Sequence, residues 1–161
     1  MRLKIKKKAD GDGVVTFVRD DGSATSGRLG SAGFGAVHDL THYVVETTLR
    51  LRSGFLGLLA QGWNILDFEA KGTAARLRDE AVVAVCIVGQ LTNSVLGGQP
   101  VSHDDFNWMV SQAVAGVRPG ATTPSISADA LGHMQNQAST LLGQWRAMPS
   151  GQSLELEVSL G

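Results

Sequence analysis

The two ends of this chain constrain its fold more than anything between them. It opens on "RLKIK" (residues 2–6) and closes on "SLELEVSL" (153–160), and both segments alternate between apolar and polar residues. A period of two puts successive side chains on opposite faces of a strand. Leu3 and Ile5 then share one face, and Leu154, Leu156, Val158 and Leu160 share another. The opposite faces are complementary, with Lys4 and Lys6 on one strand and Glu155 and Glu157 on the other. Opposed charges across a ladder contribute roughly 0.2–1 kcal/mol each and help to fix register. The two segments are therefore expected to pair, preferably antiparallel, so that the intervening chain is inserted into one sheet.

The residues after the first strand continue the sheet. "ADGDG" reads as a turn, "VVTFVRD" is rich in β-branched and aromatic residues, and "DDGS" is a hairpin signal because Asp-Gly tolerates positive φ. A third strand through "ATSGRL" completes a meander, and the glycines of "GSAGFG" (30–35) read as a connector. From residue 36 to about 148 the period becomes helical. A first helix is expected over 36–52, ended by the glycine of "SG", and a short apolar helix through "FLGLLAQGWNIL". One long core helix is expected through "GTAARLRDEAVVAVCIVGQLTNSVLGG", with Val82, Val85, Cys86, Val88 and Leu91 buried. A helix capped by Ser102, with Asp105 in the capping-box position, should run to Val117, and the last helix should span 128–147. The expectation is a single α+β domain over residues 1–161. Its small antiparallel sheet comes from 2–29 and 153–160, packed with four to five helices over 36–148.

Composition narrows the function classes. Fourteen basic and 15 acidic residues give a formal net charge of -1, which supplies no global field for nucleic acid or an anionic membrane. The longest apolar run, between Glu80 and Gln90, is short for a bilayer span, and no secretory signal follows the N-terminal lysines. The single cysteine, Cys86, excludes an internal disulfide. Together these features lead to a cytoplasmic expectation, with no nucleic-acid or membrane partner and with a homo-oligomer left open.

Chemistry concentrates in "VHDLTHYVVE" (37–46). At about 100° per residue, His42, Glu46 and Asp39 stand about 40°, 80° and 100° around the helix from His38. Histidines at i and i+4 can chelate one zinc or similar divalent ion. Glu46 lies eight residues, or about 12 Å of rise, from His38, too far to bind the same ion. It suits a supporting role, orienting the His42 ring, or an ion pair with Arg50. A third ligand would have to come from His103, Asp104, His133 or Glu69. The same residues equally serve as a hydrogen-bonded structural cap or a metal-free acid–base group. The residues thus support a structural or binding segment, with a metal-dependent hydrolase as the alternative.

"HDLTH" is similar to the H-E-x-x-H motif of the zincin metalloproteases, with Asp39, one methylene shorter, where those enzymes carry glutamate. That resemblance implies His38 and His42 as zinc ligands and Asp39 as the general base. "HDLTHYVVE" followed by "GFLGLLAQG" also resembles a segment of a family of small uncharacterised bacterial proteins, over residues 34–62. Those proteins carry a proline where this chain has Val37. The resemblance implies a bacterial source and no particular activity.

Other features point less sharply. "GSAGFG" lacks a P-loop lysine and the full dinucleotide fingerprint. The acids of "SHDDFNW" suit a helix N-terminus, and Trp63, Trp108 and Trp145 are expected to fill the core or line a groove.

Overall fold

The structure, a computed structural model, describes residues 1–9, 12–29, 34–98 and 101–161. The "ADGDG" turn and the "GSAGFG" connector fall partly outside these residues. The chain folds as α+β. Its elements are β1 (Arg2–Lys7), β2 (Gly13–Val18), β3 (Ala24–Leu29), α1 (Phe34–Leu49), α2 (Phe55–Ala60), α3 (Ile65–Glu69), α4 (Thr73–Arg76), α5 (Asp79–Gly97), α6 (His103–Val117), α7 (Ala128–Ala147) and β4 (Ser153–Glu157).

The sheet is antiparallel, in the order β3-β2-β1-β4. β1 pairs antiparallel with β4 as expected, in a register that alternation and charge allow: Lys4 faces Glu155, Leu3 faces Leu156, Arg2 faces Glu157 and Lys6 faces Ser153. Lys4 Nζ lies 2.8 Å from Glu155 Oε1. β4 regularity ends at Glu157, three residues before the expected end. The tight turn between β2 and β3 falls at the Asp-Gly sequence, where Gly22 takes φ 85°. Leu3, Ile5, Val15, Phe17 and Leu29 form the buried face of the sheet and join one cluster with side chains of α1, α2, α5, α6 and α7.

The helical half differs from the sequence expectation in four respects. Seven helices form among the described residues, because the segment between α1 and α5 breaks into three short ones. The expected long helix through 72–98 is interrupted at Leu77 and Arg78, both extended in ψ. Arg118, at the end of α6, holds this break: its guanidinium donates to the carbonyls of Ala74 (3.1 Å) and Leu77 (3.2 Å) and pairs with Asp79 (2.9 Å). As a result α7, with 20 residues, is the longest helix.

The buried stripe of α5 is also rotated from expectation. Val88 and Leu91 are buried as expected, but Val82 and Cys86 are only half-buried and Val85 is 48% exposed. Ala81, Val83, Ala84 and Ile87 fill the core face instead. By length and composition α5 would suffice to cross a membrane, since its apolar character extends past Gln90; in this fold its inner side packs against α1, α6 and α7. Finally, α1 ends on Arg50, a non-glycine residue at φ 54°, while Gly54 has an ordinary φ of -73°. Gly54 is required for space, not for its dihedral freedom. The α6 and α7 boundaries match expectation, and Ser102 accepts a hydrogen bond from the Asp105 backbone at 3.1 Å.

Candidate functional site

α1 is buried along Leu40, Val44 and Val45, and this orientation turns the His38–His42–Glu46 line toward α2 and α5. Glu46 is fully buried and His42 is 2% exposed. A buried carboxylate must be hydrogen-bonded to be tolerable, and Glu46 has two donors. His42 Nδ1 lies 2.8 Å from Oε1, and the Leu56 backbone N–H donates to Oε2 at 2.9 Å. Leu56 is in the first turn of α2, whose Gly54 N-cap offers no side chain, so Glu46 caps that helix from a distance. Fit at this point is close. A β-carbon built on Gly54 would stand 2.6 Å from Glu46 Cδ.

With Nδ1–H donated to Glu46, the Nε2 of a neutral His42 carries a lone pair. It faces His38 Nε2 at 3.2 Å, and the two rings meet edge to face at 78°. A continuous relay therefore runs from the Leu56 amide through Glu46 and His42 to His38. Burial, and then the charge of His42, lower the His38 pKa to about 4, so His38 is neutral near pH 7 and one of its two nitrogens carries a lone pair.

The relay ends in a cleft of about 260 Å³, lined by both histidines with Phe55, Phe68, Ala74, Leu77, Ala81 and Val85. Phe55 touches His42 (ring centroids 5.1 Å) and Phe68 (4.8 Å), and Phe68 continues to Trp63 (5.2 Å). The far wall comes from α3, α4 and the break at Leu77, held in place by Arg118.

The structure brings His38, His42 and Glu46 together, and Glu46 orients the His42 ring instead of pairing with Arg50. Asp39 is not among the cleft-lining residues; burial raises its carboxyl pKa to about 6, a rise partly offset by the charge of His42. His103 lies 3.3 Å from Asp104 at the exposed start of α6, and His133 and Glu69 are exposed elsewhere. Among the described residues no three His, Cys, Asp or Glu side chains cluster as a metal site. Trp145 is buried, Trp63 is half-buried and lines a groove with Asp67 and Arg76, and Trp108 is 64% exposed.

Sequence reasoning missed the cleft walls and Gly54. Phe55, Phe68, Ala74 and Leu77 belong to segments whose short helices leave no long periodic pattern, and a glycine beside a helix end reads first as a cap.

The fold and site define an α+β protein with a buried carboxylate–imidazole–imidazole relay opening on an apolar cleft. Comparison of the chain with protein-family models, with curated proteins and with solved structures finds no match.

Proposed function

We propose that this protein binds one divalent transition-metal ion between His38 and His42 and presents it to the cleft. The observation behind this reading is the 3.2 Å separation of the two Nε2 atoms. Two nitrogens each about 2.0–2.1 Å from a tetrahedral zinc ion stand about 3.3–3.4 Å apart. The separation thus suits a shared ion, which would replace the hydrogen bond between the rings once they turn both lone pairs toward it and the His38 proton moves from Nε2 to Nδ1. Glu46 on His42 Nδ1 supplies the carboxylate–histidine support that fixes ring orientation and strengthens the ligand. Imidazole ligands favour zinc, copper or nickel over magnesium or calcium.

Two protein ligands leave the remaining positions to water or to a bound molecule. Hydrolysis would further need a base facing the ion, and Asp39 is off the cleft. The geometry therefore favours metal-dependent binding over the zincin-like hydrolase. A second reading has its own support: the relay works without metal as a proton-holding pair, because His38 is neutral near pH 7 and contacts His42 directly.

Isothermal titration of chelator-treated protein with zinc separates the two. The metal reading expects close to one equivalent per chain, abolished in both His38→Ala and His42→Ala. No saturable uptake by the unmodified protein would leave the metal-free relay.

A further inference from the structure

We infer that the cleft is itself a binding site for a small uncharged aromatic molecule, with or without an ion between the histidines. The first ground is the absence of charge. Among the described residues lining the cleft there is no lysine, arginine, aspartate or glutamate. Apart from the histidines the walls are Phe55, Phe68, Ala74, Leu77, Ala81 and Val85, all apolar. The facing Nε2 atoms of His38 and His42 are already bonded to each other at 3.2 Å. The helix break adds no unpaired carbonyl at Ala74 or Leu77, since Arg118 donates to both. A charged ligand would give up its water here with nothing to replace it, a cost that an uncharged one avoids.

The second ground is the aromatic wall. The rings of His42, Phe55 and Phe68 follow one another at tilts of 49° and 58°, with centroids 5.1 and 4.8 Å apart. Aromatic pairs favour offset and edge-to-face contacts over flat stacking, and gain from them beyond the area they bury. A flat ring entering between such walls can make these contacts, and a saturated body of the same size cannot.

Size is the third ground. At about 260 Å³ the cleft exceeds the roughly 150 Å³ of an apolar cavity that already takes up benzene. It falls just under the roughly 300–1,000 Å³ of sites for drug-sized ligands. One ring, or two fused rings, suits it, whereas a nucleotide or a long acyl chain exceeds it. Arg118 fixes the far wall from 41 residues away, so the hollow is part of the fold.

The test uses zinc-free protein in the presence of a chelator, so that the result does not depend on the ion. Benzyl alcohol is the probe. Benzoate and benzylammonium carry the same ring with a charge, and cyclohexylmethanol carries the same head on a saturated ring. Each is titrated while backbone amide and side-chain shifts are followed by NMR spectroscopy. Benzyl alcohol is expected to saturate one site, at least tenfold tighter than either ion and at least threefold tighter than cyclohexylmethanol. The largest shifts should fall at Phe55, Phe68, Ala81 and Val85. Ala74→Trp and Val85→Trp, both at exposed wall positions, should each weaken binding at least tenfold. Circular dichroism checks the fold of each, and the shift map of the unmodified protein locates the site if neither variant folds. No saturation, shifts centred elsewhere, or undiminished binding to a folded variant overturns the site. Equal or tighter binding of either ion overturns the uncharged class, and equal binding of cyclohexylmethanol overturns the aromatic one. Zinc uptake is measured separately, so the metal reading can fail while this inference stands, and the reverse.

Discussion

Glu46 and Gly54 occupy adjoining space so closely that a β-carbon on Gly54 would overlap the Glu46 carboxylate. Gly54→Ala should therefore push the carboxylate off both His42 and the Leu56 amide, leaving a buried charge poorly paired. The expected loss is roughly 2–4 kcal/mol, more than a surface glycine would give. Chemical denaturation measures it, and an unchanged midpoint would show that α2 moves aside without consequence.

Glu46→Gln keeps the shape and an oxygen for the Leu56 N–H but removes the charge that orients His42. Zinc affinity should fall about 10- to 100-fold, with a stability loss of about 1–3 kcal/mol. A competition titration against a chelator gives the first number. An affinity equal to that of the unmodified protein would separate Glu46 from the metal-binding role proposed for the histidines.

Asp39 and His38 predict opposite pH dependences. The Asp39 carboxyl pKa is raised from 3.8 to about 6, so the folded protein holds this proton more tightly than the unfolded chain. Its stabilising contribution is full below about pH 4 and is lost as pH rises through 6. Asp39→Asn should therefore be more stable than the unmodified protein at pH 7.5, by on the order of 3 kcal/mol, with the gap closing near pH 4. His38, lowered from 6.5 to about 4, behaves in reverse: it costs stability as pH falls from 6.5 toward 4. Denaturation midpoints across pH 4–8 check both, and a pH-independent gap for Asp39→Asn would contradict the first.

Val85 and Val88 lie on the same helix in opposite environments, 48% and 0% exposed. Val88→Asp should cost about 3–5 kcal/mol through an unpaired buried carboxylate. Val85→Asp should stay within about 1 kcal/mol of the unmodified protein. Urea denaturation of the two variants side by side tests the rotation of the α5 stripe directly.

The sheet was legible because strand alternation and complementary charge act locally and both point the same way. Leu3, Ile5, Lys4 and Glu155 sit where period-two patterning places them. The helices with polar caps were legible for a similar reason, since Ser102 marks the start of α6 by its own chemistry. α5 was harder to read. Apolar residues surround it almost completely, so periodicity cannot say which side turns inward, and the alanines that take the core face carry little signal. At the site, helical spacing alone brought His38, His42 and Glu46 into one quadrant. The break at Leu77 depends on Arg118, 41 residues away, and the cleft wall follows from that contact. No local pattern contains it.

The β1–β4 ladder places Arg2 beside Glu157 across a sequence separation of 155. Helices and the β1–β2–β3 meander can form from neighbours, whereas this ladder must wait for a long-range closure. During synthesis β1 therefore presents an unpaired edge until residues 153–157 emerge, and an open apolar edge invites pairing with other chains. Lys4 and Lys6 stand on that edge. The charges that later meet β4 thus have an earlier use as guards against aggregation, and the protein's safest route to the native state and its final register depend on the same side chains.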